Sequence, residues 1–375
     1  MIAFNQAPKL KKSQDYVLDS LASGNIGGDN KYSRLCQNKL EMDLNVDNIL
    51  LTTSATSALE MISLLLEIEE GDEIIMPSFT FVSSANPFVL QKAKIIFVDI
   101  RLDTLNIDES KIEAAITPKT KAILVVHYNG VSCNIERIAT IAKKFHLALI
   151  EDAAQALYAK RSNQYLGTFG DLACFSFHES KNFTMGEGGA LVINNKKYLK
   201  KAKIIWEKGT DRSNFLLGLV DKYTWISKGS SFLPADILAA NLLAQLEFAN
   251  EIIKNRKEAW LLYYQLLRDL SDHFTLAPMN CFEDFNGHGF YLLVKKLEDR
   301  DNLIKFLKAK GIIASFHYLP LHQSKAGKKY CYFVGDDTNT LYVSNAIVRL
   351  PMYYQLEKKD IIFICQSIKE YFEKG

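Results

Sequence analysis

Long apolar runs are missing from this chain. No stretch approaches the ~18 uninterrupted apolar residues of a membrane span, and the opening MIAFNQAPKLKKSQDY has no apolar core behind a basic start. Neither membrane insertion nor export is expected, and the reading is a cytoplasmic protein. Cysteine is scarce: six residues among 375, Cys36, Cys133, Cys174, Cys281, Cys331 and Cys365, stand singly with no CxxC pair. That spacing excludes a disulfide framework and reads as reduced thiols. Charge of one sign is not in excess either. Forty-five Lys plus Arg meet 43 Asp plus Glu for a net charge of +2, so no global field recruits nucleic acid or an anionic membrane. The seven histidines form no HExxH and no cluster at ligand spacing, so no metal is expected. His317 and His322 flank Pro320 as a loose pair better suited to a polar pocket wall. GxGxxG after the first strand and GxxxxGK[ST] are both missing, which sets aside dinucleotide dehydrogenases and phosphate-loop nucleotidases.

What is present is a globular composition, 48% hydrophobic and 23% charged, in a chain long enough for a large domain and a smaller companion. From residue 48 short β-rich runs alternate with helix-length segments. Strands are expected at 48–53, 73–76, 94–98, 121–127 and 147–150, with helices at 56–67, 80–91, 108–116 and 135–145. Such alternation predicts an α/β fold with a mostly parallel sheet covered on both faces. After Asp171 the pattern loosens: strands are expected at 172–177, 190–193, 290–294 and 312–315, and helices at 236–270, 300–310 and 358–372. The expected division is a large α/β domain over 1–250 and a small α+β domain over 251–375.

Four polar groups fall where strands are expected to end, the place where ligands collect in such sheets. Thr52-Thr53-Ser54-Ala55-Thr56-Ser57 leads into a helix whose free N–H groups and small hydroxyls suit an anion; plain N-capping also explains it. Glu151-Asp152-Ala153-Ala154-Gln155 follows an apolar run. An Asp there can hold a protonated heterocyclic nitrogen, although a turn residue is the plainer role. Lys181 follows Phe175-Ser176-Phe177-His178 and precedes Gly186-Glu187-Gly188-Gly189. A lysine in a partly desolvated place gives up its proton readily and becomes available for a Schiff base, whereas most lysines are solvated. Phe316-His317-Tyr318-Leu319-Pro320-Leu321-His322 offers two imidazoles and a phenol. An anion cradle, an Asp and a reactive lysine, in that order on an α/β scaffold, match what pyridoxal 5′-phosphate needs. Phe81 adds an aromatic face for its ring.

These residues resemble the DegT/DnrJ/EryC1/StrS sugar aminotransferase family. The likeness runs through Gly71-Asp72-Glu73 with Pro77-Ser78-Phe79-Thr80-Phe81, the Glu151 to Gln155 run, Ser176-Phe177-His178 with Lys181-Asn182, Gly186-Glu187-Gly188-Gly189, and Tyr318 to His322. It covers nearly the whole chain. The resemblance implies the type I fold of pyridoxal-phosphate-dependent transferases, aspartate aminotransferase-like, in a homodimer with shared active sites. It assigns Lys181 as the covalent anchor, Asp152 to the pyridinium nitrogen and Gln155 to the phenolic oxygen. Thr56, Ser57 and Ser176 fall on phosphate ligands and Phe81 on the stacking aromatic. A phosphate ligand from the second subunit, commonly an Asn after a Gly, falls near Gly229-Ser230-Ser231-Phe232, where Ser231 is the candidate.

The implied substrates are L-glutamate and dTDP-4-dehydro-6-deoxy-D-glucose. Amination at C4 gives dTDP-4-amino-4,6-dideoxy-D-galactose for a cell-surface polysaccharide such as lipopolysaccharide or the enterobacterial common antigen. A nucleotide sugar calls for cations and hydrogen-bond donors, and Lys208, Arg212, His317, Tyr318 and His322 are the candidates. The alternatives are a 3-keto or UDP-linked sugar, or a non-catalytic binder of the cofactor with a regulatory role. Intact Lys181, Asp152 and Gln155 argue against the last, and Lys181 against the relatives that carry His there and act as dehydratases.

Overall fold

The computed structural model describes residues 1–277, 279 and 284–373. Cys281 lies outside the described residues; the other five cysteines are unpaired. The first five strands are β1 (Ile49–Thr52), β2 (Glu73–Pro77), β3 (Lys94–Val98), β4 (Thr120–Val126) and β5 (Ala148–Asp152). A short hairpin, β6 (Lys160–Arg161) and β7 (Gln164–Tyr165), precedes β8 (Leu172–Ser176) and β9 (Gly189–Ile193). The last four are β10 (Phe274–Leu276), β11 (Phe290–Val294), β12 (Cys331–Phe333) and β13 (Ile347–Leu350).

Eight strands form one sheet in the order β1-β9-β8-β5-β4-β2-β3-β12. Helices Ala55–Leu65, Val82–Leu90 and Ile135–Lys144 fill the crossovers of β1–β2, β2–β3 and β4–β5, so those strands must run parallel. The segment 177–188 has no helix to carry it across, and β9 returns antiparallel to both β8 and β1. The strands are buried along almost their whole length, which is why they read as continuous apolar runs rather than alternating ones. All strands but β9 therefore end on one edge, and β9 begins there.

The second sheet, β10-β11-β13, is antiparallel. It packs with helices Ala249–Leu267, Glu298–Ala309 and Lys358–Glu373 around Trp260, Tyr263, Phe290, Leu303 and Ile364. The expected 236–270 helix is two helices, Asp236–Glu247 and Ala249–Leu267, broken at Phe248, whose ψ of 16° is not helical. The expected 312–315 strand is reduced to single bridges, Ile2 to Ile312 and Ser315 to Arg349. β12 joins the large sheet through β3 even though it follows the small domain's first strands, so the two units share chain on both sides of residue 250. Two N-terminal helices, Lys11–Ser23 and Lys31–Leu44, had no expectation attached to them. The first fully buries just Ser13 and Ser20, with Tyr16 and Val17 packed only in part against the core, so its apolar stripe is too narrow to read. The second is capped from a distance, the Asp236 carboxylate accepting from the N–H groups of Tyr32 (3.1 Å) and Ser33 (2.7 Å).

Candidate active site

The strand ends and the small domain enclose a cavity of about 480 Å³ lined by Thr56, Phe81, Asp152, Gln155, Ser176, Lys181, His317 and Tyr318, among others. The sequence thus placed most of its candidates in one space.

Lys181 comes from the 177–188 return. A turn closes it, the Lys181 N–H donating to the His178 carbonyl at 2.9 Å, and Phe177 N–H donates to Gly188 at 2.8 Å. Burial pushes the Lys181 ammonium down to about 8; the Asp152 carboxylate works against that shift and the Arg349 guanidinium adds to it. About a tenth of the side chain is therefore free amine at pH 7, far more than in an ordinary lysine. Asp152 ends β5, where its carboxylate accepts from Ser84 Oγ (2.6 Å) and the Ala154 N–H (3.2 Å). Ser84 is itself bonded to Thr80 Oγ1 at 2.7 Å, which fixes the carboxylate at the cavity wall.

Gln155 joins the two domains. Its Oε1 accepts from the Asn129 N–H (2.7 Å) and its Nε2 donates to the Tyr318 hydroxyl (3.0 Å). Burial pushes the Tyr128 hydroxyl up to about 12 and holds His317 neutral, well below its ordinary range. The protonated Tyr128 hydroxyl and the neutral imidazole of His317 pair through Nδ1 across 3.0 Å, sharing one hydrogen bond. Phe81 stands at the rim, 56% exposed, with its ring centroid 6.3 Å from that of Tyr318.

The anion cradle is built at the start of helix Ala55–Leu65. Ser54 caps it, its Oγ accepting from the Ser57 N–H at 3.0 Å. Thr56 Oγ1 donates to Ser83 Oγ at 2.7 Å, and both residues line the cavity with Ser176. A Cβ at position 189 would stand 2.3 Å from Ser54 C and 2.4 Å from Ala55 N, so glycine is what lets β9 close against this turn. Ser57 stands apart from the lining; its hydroxyl is engaged by Thr53 Oγ1 (2.8 Å) and Ser54 Oγ (3.0 Å).

Four further candidates lie outside the cavity of their own chain. Ser231 is exposed and bridges Glu207. Arg212 and Lys208 both face Glu207, at 2.8 and 3.8 Å. His322 is a tie: Nδ1 meets Ser78 Oγ at 2.7 Å and Nε2 meets Asp337 at 2.9 Å. Its two nitrogens are thus already used in linking the β2 end to the 321–337 segment.

Sequence reasoning missed Phe4, His178, His288 and Arg349, which also line the cavity. His178 lay inside a motif already singled out, three residues before Lys181, so the signal was there. His288, held neutral by burial, donates from Nδ1 to Asn182 Oδ1 at 3.0 Å. No spacing announces it or Arg349, because both reach the cavity through tertiary packing of the small domain.

A lysine with a depressed pKa, an acid at a neighbouring strand end and a hydroxyl-lined helix start fit a phosphorylated pyridine aldehyde. They fit the class of enzymes that use such a cofactor. The chain belongs to the DegT/DnrJ/EryC1/StrS aminotransferase family, whose model matches residues 9–369. It is 30% identical to GDP-perosamine synthase of Escherichia coli O157:H7 over 367 residues, 96% of each chain. It is similar to Helicobacter pylori PseC, an aminotransferase involved in the biosynthesis of pseudoaminic acid, with 27% identity and a TM-score of 0.91 over 100% of both chains. The Escherichia coli GDP-4-keto-6-deoxy-D-mannose-3-dehydratase with bound hydrated PLP shares the fold, at 20% identity and a TM-score of 0.88 over 98% of this chain and 99% of that one. As a member of this family the protein is a pyridoxal 5′-phosphate-dependent aminotransferase. Among the described residues no helix is long and apolar enough to cross a membrane, and no group of His, Cys, Asp and Glu could hold a metal.

Proposed function

We propose that the protein transfers the amino group of L-glutamate to C4 of dTDP-4-dehydro-6-deoxy-D-glucose, giving dTDP-4-amino-4,6-dideoxy-D-galactose and 2-oxoglutarate, for cell-surface polysaccharide. The observation that carries the chemistry is Lys181, a near-neutral amine in one cavity with Asp152 and the Thr56–Ser176 hydroxyls. A sugar acceptor is supported by relatives named for GDP-perosamine and pseudoaminic acid. The dTDP sugar and C4 rest on resemblance in Met1 to Asn5, Phe79 to Leu90, Phe97 to Glu109, Glu207 to Ser213, Val220 to Trp225 and Phe316 to His322.

Pyridoxal 5′-phosphate, when bound, supplies an electron sink that lets a C–H bond beside nitrogen ionise. Thr56, Ser176 and the N–H groups behind Ser54 would hold its phosphate, Asp152 the proton on its ring nitrogen, and Phe81 one face of its ring. Lys181 Nζ takes the proton from the donor's α-carbon and later delivers one to sugar C4. His317 and Tyr318 offer polar groups to the sugar.

The active site is shared in this reading. Apolar side chains crowd the surface from Phe215 to Ile226, with Leu217 71% and Trp225 81% exposed, a patch that calls for a partner. The hairpin bearing it is held by Gly209 and Gly229, where a Cβ on Gly229 would lie 2.1 Å from Gly209 N. An isologous twofold dimer would cover this patch and offer Ser231 to the partner's cavity. An acceptor panel of dTDP-4-keto, dTDP-3-keto and UDP-4-keto sugars, with product configuration read by NMR, tests the assignment. Turnover confined to a 3-keto or UDP-linked sugar, or a gluco product, contradicts it.

A further inference from the structure

Two carboxylates line the cavity, Asp152 and Glu187, and the reaction as described leaves Glu187 without a task. Asp152 is buried and takes donors from Ser84 and Ala154. Glu187 stands at the mouth, its side chain 70% exposed, with His178 Nε2 3.5 Å from its Oε1. Among the described residues no other group pairs with it. The tautomer of His178 follows from its other nitrogen. The Ser180 N–H, which can only donate, is bonded to His178 Nδ1 at 3.2 Å, so the proton of the neutral imidazole is on Nε2, the nitrogen nearer Glu187. The backbone beneath the pair is fixed as well. Phe177 N–H donates to the Gly188 carbonyl and Met185 N–H to that of Phe177, both at 2.8 Å, Gly186 N–H donates to Thr184 Oγ1 at 2.8 Å, and a single bridge joins His178 to Gly186. Glu187 thus rides on the same braced return that carries Lys181.

A carboxylate in this place repels the anions that both substrates carry, the carboxylates of glutamate and the diphosphate of a nucleotide sugar. What it takes well is a hydroxyl hydrogen, in a charge-assisted bond. In a 4-keto-6-deoxyhexose the carbon that must approach Lys181 has two ring neighbours: C5, which bears a methyl group, and C3, which bears a hydroxyl. The diphosphate leaves from C1, across the ring. The C3 hydroxyl is therefore the donor nearest the reacting carbon, and it is farther from the diphosphate than the hydroxyl on C2. We propose that Glu187, aligned by His178, accepts the C3 hydroxyl of the acceptor sugar and so selects which keto-sugars are aminated. His178 is a positioning residue in this arrangement. The inference rests on the nucleotide-sugar reading above.

The test is a cycle of two enzymes and two acceptors. Wild type and Glu187→Ala, each holoenzyme charged beforehand with L-glutamate, are given dTDP-4-dehydro-6-deoxy-D-glucose or its 3-deoxy analogue. Deleting either the carboxylate or the hydroxyl should lower kcat/KM about 10- to 100-fold, the range of a charge-assisted hydrogen bond, and deleting the second should add little. Glu187→Gln, which keeps an acceptor, should lose less. Calorimetry with unreactive dTDP-6-deoxy-D-glucose should show binding weakened by a similar factor in Glu187→Ala. The glutamate half-reaction should run no slower in that variant, because a charge that repels the donor is gone. His178→Ala should lower kcat/KM for the 3-hydroxy acceptor several-fold without adding to Glu187→Ala, and His178→Gln, which supplies an amide donor, should recover much of the loss. Additive losses at 178 and 187 overturn the aligning role. A 3-deoxy acceptor as sensitive to Glu187→Ala as its parent overturns the proposal, as does a wild type indifferent to the missing hydroxyl. So do equal losses in both half-reactions, or a shift toward monomer in light scattering, which would give Glu187 to the fold or to the subunit contact. Wild-type enzyme inert to dTDP-4-dehydro-6-deoxy-D-glucose overturns the underlying reading instead, and is seen before any variant is made.

Discussion

Replacing Lys181 with Met should stabilise the cofactor-free protein, by an amount that fades as pH rises. Burial takes the ammonium from 10.5 to about 8; at ~1.4 kcal/mol per unit this is a cost of roughly 3 kcal/mol to the charged form. Between those two values the unfolded chain, with its ordinary lysine, binds more protons than the folded one, so wild-type stability climbs with pH across that window. Below about 8 the cost is present in full. Met has similar length and no charge, so its advantage over wild type should be largest at pH 7 and shrink by roughly 3 kcal/mol by pH 10.5. Urea unfolding of the two cofactor-free proteins at matched concentration, from pH 7 to 10.5, reads the difference directly. A difference that does not change with pH, or that grows, refutes the argument that Lys181 is desolvated in the cavity.

Lys181→Ala should also abolish the borohydride-trapped link between protein and cofactor while the chain stays folded; an unchanged adduct by mass spectrometry removes Lys181 from its role. Asp152→Asn should fold and bind cofactor yet slow proton transfer by ~10- to 150-fold, the loss of a charge-assisted hydrogen bond, and near-native single-turnover rates would assign that work elsewhere. Trp225→Arg should shift the protein toward monomer in light scattering and lower activity with it, whereas a dimer that persists places the twofold contact elsewhere. His322→Ala should lower the melting temperature and both half-reactions together, because His322 ties Ser78 to Asp337; a loss in the keto-sugar step alone would return it to the acceptor site.

The central strands were legible because a sheet covered on both faces produces unbroken apolar runs such as KIIFV at β3 and LACFS at β8. Thr56, Asp152, Ser176 and Lys181 were legible for a related reason: strand ends collect function, and short polar runs there stand out. The sequence could not say that Arg212 and Lys208 would be taken up by Glu207, or that His322 would be held at both nitrogens, since those partnerships depend on what packs nearby. The three residues of β12 are too few to carry a period, and their pairing with β3 spans more than 230 residues of sequence. Phe4 and Arg349 meet for the same reason, through segments from opposite ends of the chain.

The most direct measurement is the donor half-reaction in isolation. Holoenzyme mixed with L-glutamate and no sugar should release about one 2-oxoglutarate per active site and then stop. Adding dTDP-4-dehydro-6-deoxy-D-glucose should restart release and yield an equal amount of 4-amino sugar. A protein that binds the cofactor through Lys181 yet releases no 2-oxoglutarate, or releases it without ever passing nitrogen to a keto-sugar, contradicts the account.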